Sequence, residues 1–393
     1  MLKTTSIFLF IFLVFALTNC AEKPKEEKKA AVKTSITKKI AALPKTVKAP
    51  LDNPASKAKE TLGKLLFFDP VLSGNKDVAC ATCHHPQNGY TEFLDLSIGP
   101  NARGLGSKRK FNVPNDIPFV KRNAQTIINT AFNGIDENNR YEPETATMFW
   151  DDRAKSLEEQ ALEPIKAFEE MRGHGIPEIE ILQSVIDRLN AIPEYQQLFE
   201  QAFGGNDAIT VGNLAKAIAA FERTIISNNS RFDQYMRGQR NAITASEKEG
   251  MELFKTVGCI NCHSGPMFSD YKLHVLGTPE NSKLPIPDAG VVDTFAFRTP
   301  TLRNLRFTAP YMHNGSLQTL RRVLEFYEDI SNAKVRNKNV APERYDPFVR
   351  ELELSVKEMS LIISFLNTLN DDSFDKEIPE AVPSGLPVGG NIE

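Results

Sequence analysis

The sequence predicts an all-α fold in which one short motif is set among helices twice. Three observations carry this. The pattern Cys-x-x-Cys-His occurs at Cys80–His84 and again at Cys259–His263. Apolar residues at helical spacing precede and follow each copy. The strict alternation of a half-buried strand is scarce.

The elements follow in chain order. Positions 1–20 read as a signal peptide, with Lys3 ahead of the apolar run Ile7 to Leu17, which is short for a membrane span. Leu17-Thr18-Asn19-Cys20 is similar to a bacterial lipobox, with Asn19 where a small residue is usual. The expectation is a periplasmic lipoprotein anchored to the membrane through Cys20. Positions 21–50, rich in Lys, Glu, Ala and Pro, read as a flexible tether. A first domain is expected over 51–235 and a second over 236–375, with the boundary between Ser230 and Asn241. Positions 376–393, with Pro379, Pro383, Pro387 and two adjacent glycines, read as a surface tail.

A helix is expected over Ala55–Phe67, with Leu62, Leu65 and Leu66 on one side. Thr210 is a candidate N-cap for the stripe Leu214, Ile218, Phe221, Ile225. Thr244 and Glu247 form a capping box opening a helix through Phe254, which Gly258 ends. Ser355 and Glu358 form another, opening a helix that carries Met359, Ile362, Ile363, Leu366 and Leu369. The insertion from Tyr90 to Gly205 exceeds what a minimal shell around one motif needs, so it is expected to supply a second wall. Hydrophobic residues make up 41% of the chain and charged ones 25%, as in soluble globular proteins. A net charge of -3 gives no reason to expect a nucleic-acid partner.

The motif spacing has a chemical reason. Two thiols add to the two vinyl groups of one haem, and the next residue presents its imidazole to the iron. Disulfides or a zinc site would also use four cysteines, but neither requires His after both pairs. The expectation is two covalently bound haem c groups in two cytochrome c-like domains. Cys80, Cys83 and His84 hold the first; Cys259, Cys262 and His263 hold the second.

Further segments extend the pattern. Arg122-Asn123-Ala124-Gln125-Thr126 precedes Phe149-Trp150-Asp151-Asp152-Arg153, Leu157-Glu158-Glu159-Gln160-Ala161, Pro164-Ile165 and Glu170-Met171. Arg298-Thr299-Pro300-Thr301-Leu302-Arg303-Asn304 and Ala309-Pro310-Tyr311-Met312-His313-Asn314-Gly315 follow in the second half. With these, the chain resembles the bacterial di-haem cytochrome c peroxidase and MauG-like family from about Leu51 to Leu369. The resemblance implies a peroxide-reactive haem over His84 and an electron-relay haem over His263. It makes Glu170 the acid–base residue, with Gln160 and Pro164 lining its pocket, and Trp150 the mediator between the haems. It points to Tyr327 as the relay's sixth ligand, with Met312 as the alternative. It implies a calcium ion held by the Asn123 side chain and the carbonyls of Thr308 and Pro310.

Two departures stand out. Asp152 sits where the family usually has Gly. Pro100 follows Ser97-Ile98-Gly99 where many members carry a His that caps the reactive haem, so an open reactive haem is expected; His174 is the remaining candidate cap. His85 reads as a surface residue. The implied reaction is reduction of hydrogen peroxide with electrons from a small donor, a cytochrome c or a cupredoxin. The alternatives are a MauG-like oxidase that modifies a partner protein and a non-catalytic electron carrier. A homodimer is compatible with the resemblance.

Overall fold

Twelve helices carry the architecture of the computed structural model, which describes residues 38–393. They are α1 (Lys57–Phe68), α2 (Cys80–Cys83), α3 (Leu157–Gln160), α4 (Glu163–Lys166), α5 (Glu178–Asn190), α6 (Pro193–Phe203), α7 (Val211–Glu222), α8 (Arg231–Met236), α9 (Ala245–Thr256), α10 (Leu320–Ser331), α11 (Pro347–Arg350) and α12 (Met359–Asn367). A π turn spans Phe168–Arg172. Strands are two or three residues long: β1 (Ala102–Arg103) pairs antiparallel with β2 (Lys110–Phe111), and β3 (Leu273–Val275) with β4 (Ala296–Arg298). The expected signal peptide and Cys20 lie outside the described residues. Among the described residues no helix is long and apolar enough to cross a membrane.

The same crossing is built twice. In the first half α1 packs on α7 at Gly63, where a Cβ would lie 1.9 Å from the Ala217 carbonyl oxygen. In the second half α9 packs on α12 at Gly250, where a Cβ would lie 2.0 Å from the Leu361 carbonyl oxygen. Each pair brackets one motif. Leu62, Leu66, Val185, Leu189, Tyr195, Phe199, Leu214 and Ile218 form the core around the first pair. Phe232, Met251, Phe254, Phe268, Met359, Ile362 and Phe365 form the core around the second.

The caps expected at Thr210 and Thr244 are present, and Glu247 closes its box. Three expectations need correction. The first helix begins at Lys57, past Pro54 and Ser56. The Ser355–Glu358 box is only half formed: Glu358 accepts from the Ser355 N–H and hydroxyl, but the Ser355 hydroxyl is then spent as a donor, and α12 begins only at Met359. Residues 38–50, expected as tether, pack on the second half. Ile40 pairs with Gly265 and enters the second core, and the Leu43 N–H donates to Asp233.

Asp233 shows what this docking anchors to. It lies in α8, inside the expected boundary region, and its neighbour Phe232 belongs to the second core. Fully buried, it pairs with Arg303 through two bonds of 2.9 Å. The tail is also tied down: Gly389 N–H donates to Phe68, Asn391 N–H to Asp77, and the Thr82 hydroxyl to Gly389. The described residues thus form one unit.

The glycine crossings yield a stability test. Gly63→Ala and Gly250→Ala should each destabilise the protein by about 2 kcal/mol or more through overpacking, although Ala is the better helix former. Denaturant midpoints of the two variants check this; an unchanged or raised midpoint would refute the crossing geometry.

Candidate functional site

Both motifs open onto one cavity of about 640 Å³, lined among others by Cys80, Cys83, His84, Cys259, Cys262 and His263. All four cysteines are free of disulfides. The two motifs share a second detail that their sequence does not show. His84 Nδ1 lies 3.1 Å from the Tyr90 carbonyl, and His263 Nδ1 lies 2.9 Å from the Phe268 carbonyl. A carbonyl fixes the proton on Nδ1 and leaves Nε2 as the free lone pair, which is the form that ligates iron. Burial pushes both imidazoles toward the neutral state that ligation needs. Paired thiols, a neutral imidazole beside each pair and an apolar cavity between them fit two covalently held haems.

The insertion does supply a second wall, through residues 120–170. Its hairpin Met148–Ala154 presents Trp150, whose indole N–H donates to the Asn123 carbonyl at 3.0 Å. Trp150 meets His313 edge-on at 6.5 Å, and His313 stacks flat on Phe297 at 3.6 Å. Asp152 has φ 62°, which explains why glycine suits the position; aspartate tolerates it better than most residues do.

Gln160, Pro164 and Glu170 all line the cavity. Gln160 ends α3, which Ser156 caps by accepting from the Glu159 N–H. Pro164 opens α4 and has no N–H to donate. Glu170 sits in the π turn, with Arg153 at 3.9 Å. Burial raises its carboxyl to about 7, and Arg153 opposes the rise. The Gly99 position packs directly on the Glu169 and Glu170 carbonyls, where a Cβ would come within 2.2 and 2.5 Å. Arg109 clamps that stretch by donating to the Ile98 and Gly99 carbonyls. Pro100 faces Gly173 at the end of the π turn. His174 pairs with Asp116 at 3.0 Å on the surface and does not line the cavity. His85 is buried, contrary to expectation, because its Nδ1 accepts from the Gln87 N–H in the turn after the motif.

Tyr327 and Met312 both line the cavity. Tyr327 follows the fully buried Phe326 on α10. Burial, with Cys262 and Cys259 nearby, pushes its phenol well up. Asn123, Thr308 and Pro310 line the same cavity. The Asn123 amide nitrogen donates to the Leu94 carbonyl at 2.7 Å, which leaves its oxygen as the free end.

Sequence reasoning missed several charged groups here. Arg298 is buried, donates to the Phe149 carbonyl and to Gln125, and lies 3.8 Å from Asp152. Arg122 pairs with Asp151 at 2.6 Å and Asp288 at 2.5 Å. Both arginines begin segments that carried the resemblance, which was the available signal. His274 is held between Asp270 and Asp346; against the pull of burial, Asp270, the neighbouring Cys262 thiol and Asp346 push it up, and the thiol's share is lost once that sulfur carries haem. No motif marked it.

Residues 57–241 match the family model of the di-haem cytochrome c peroxidases. The chain is 32% identical over 342 residues to methylamine utilization protein MauG of Methylophilus methylotrophus, covering 86% of this chain and 89% of that one. It is 32% identical over 330 residues to cytochrome c551 peroxidase of Nitrosomonas europaea, covering 82% and 83%. The crystal structure of a MauG-like protein associated with microbial copper homeostasis superposes with a TM-score of 0.67 at 27% identity, covering 84% of this chain and 95% of that one.

Protein matured in a cytochrome c-competent host should show the mass of two added haems. The double variant Cys259→Ala/Cys262→Ala should show one. A single addition in the unaltered chain would contradict the site.

Proposed function

The chain belongs to the di-haem cytochrome c peroxidase family, and from that premise we propose that it reduces hydrogen peroxide to water at the His84 site. The observation that carries this reading is Glu170: a carboxyl poised at about 7, lining the cavity that His84 enters. A pKa near the working pH lets one group both accept and return a proton. Haem, when bound, supplies the iron that takes peroxide and exchanges electrons. Glu170 removes the proton from one peroxide oxygen and hands it to the departing one. The Gln160 amide orients the bound oxygens, and Pro164 fills the wall without competing for them. His84, its Nδ1 fixed on the Tyr90 carbonyl, would hold the iron through Nε2.

The halves 51–235 and 236–375 are read as two cytochrome c-like domains, the second serving as the relay. His263 and Tyr327 would hold the relay iron, and a phenolate there would favour the ferric state. Met312 is the weaker candidate because it occupies a spacer position within the Pro-Tyr-x-His segment. Trp150 conducts between the two sites, its indole fixed by Asn123. The oxygens of Asn123, Thr308 and Pro310 suit a calcium ion, a hard cation that takes such donors. Electrons come from a small cytochrome c or cupredoxin in the periplasm, and the N-terminal leader places the enzyme there. Because Pro100 stands where a capping His would be, no side chain of that stretch would close the reactive haem, which would then need no prior reduction.

Glu170→Gln should keep both haems and lose turnover by about a hundredfold or more, since Gln cannot carry a proton. The unaltered enzyme should slow as pH falls below about 7, where Glu170 becomes protonated and ceases to act as a base. Steady-state turnover with a reduced cytochrome as donor checks both; near-normal turnover of the variant at saturating peroxide removes Glu170 from its role.

The resting oxidised enzyme should give one high-spin and one low-spin ferric signal in electron paramagnetic resonance, and Tyr327→Met should raise the low-spin potential. Two low-spin signals would mean that the reactive iron is capped.

A further inference from the structure

Glu222 takes no part in the reading above. It ends α7, is 4% exposed, and its buried Oε2 has no hydrogen-bond partner among the described residues. It nevertheless lines the cavity. α7 packs on α3, the helix that ends in Gln160: Ala219 shares a cluster with Leu157, and Ile218 another with Ala161. Cys80 is close enough that the charge of Glu222 adds to burial in pushing its thiol up to about 12. Glu222 therefore belongs to the first site, on the wall that Gln160's helix builds.

An unpaired carboxylate is costly in such a place, so the group keeps its proton. Burial raises it to about 8, with Arg223 opposing and Glu158 adding to the rise. Arg223 grips Glu158 through bonds of 2.6 and 2.8 Å, while its own buried Nε has no partner among the described residues. Glu158 accepts from Asn53 at 2.7 Å, and Asn53 accepts from Lys59 at 3.1 Å. Lys216 at this edge pairs with Asp52, whose side chain is 70% exposed. Polar groups thus lie between this wall and solvent, joined to one another from Arg223 outward; the step from Glu222 to Arg223 is bridged by no hydrogen bond among the described residues. The ionisable groups that face Glu222 are Arg223 beside it, Glu158 on α3 and Cys80 on α2, which becomes an uncharged thioether once haem is attached.

Peroxide reduction needs a way in for protons. In H2O2 + 2 e⁻ + 2 H⁺ → 2 H2O the O–O bond breaks, the protein donor supplies both electrons, and solvent supplies both protons. Glu170 only moves a proton that peroxide already carries. Resting on the peroxidase reading, we propose that Glu222 takes up protons from solvent, past Glu158 and Arg223, and delivers them to the first site.

The test uses the holoenzyme and Glu222→Gln. The infrared carbonyl stretch of a protonated carboxylic acid should be present in the resting enzyme at neutral pH and absent from the variant. Delivery requires the protonated form, so turnover of the unaltered enzyme should fall as pH rises through about 8. The variant should lose that limb and turn over at least about tenfold more slowly at pH 7, the low side of what a positioned proton donor contributes. Haem content and spin states should not change. A variant whose rate and pH profile match the unaltered enzyme overturns the proposal, and so does an infrared spectrum that the substitution leaves unchanged. If Glu222→Gln fails to hold its haems, Glu222→Asp replaces it: the withdrawn carboxyl should displace the alkaline limb, and a superimposable profile overturns the proposal. Failure of the peroxidase reading itself looks different, because the unaltered enzyme would then reduce no peroxide with any donor.

Discussion

A glycine in contact with a carbonyl is the constraint on which the remaining architecture rests. At Gly63 and at Gly250 two helices approach closer than any side chain permits. That approach closes one end of each half and forces the chain between the helices to bulge around the motif. The imidazole that follows each cysteine pair is then aimed by one hydrogen bond it donates to a local carbonyl, Tyr90 or Phe268. The duplication lies in this sequence of constraints more than in the residues themselves, since the two helix pairs share little beyond the glycine.

The halves differ in how they treat buried acids. The carboxyls driven upward, Asp77, Glu92, Glu170 and Glu222, all lie in the first half, and burial leads the causes in each. In the second half Asp270 and Asp288 are held down by His274 and Arg122 against the pull of burial, as Asp151 and Glu158 in the first half are by Arg122 and Arg223. Asp233 at the junction behaves likewise under Arg303. A site that makes and breaks O–H bonds needs acids that exchange protons near neutrality. A site that only passes electrons is better served by charges that do not titrate there. In the reading proposed above, the raised acids lie in the half that holds the reactive site. Glu92, fully buried and joined to the Ser97 hydroxyl, shows that the first half holds more such acids than the reaction strictly needs.

What could be read in advance followed how local the cause was. The two motifs were legible because covalent chemistry dictates their spacing. The caps at Thr210 and Thr244 were legible because they are settled within one helical turn. The Ser355 box misled, since the same hydroxyl can donate to Glu358 and leave the turn unwound. Residues 38–50 are too polar to signal docking; their place depends on Asp233, about two hundred positions away. Glu222 was hidden in a stripe otherwise apolar, where one acid looks like an exposed helix end. Asp152 showed as an oddity, but only its left-handed backbone gives the reason.

The tail adds a temporal consequence. Its final residues complete the shell around the first motif, through Phe68, Asp77, Thr82 and the guanidinium of Arg109. Arg109 in turn clamps the stretch that rests on Glu169 and Glu170. Synthesis runs from the N-terminus, so the first motif emerges long before the residues that close its shell: the Thr82–Gly389 bond alone spans 307 positions.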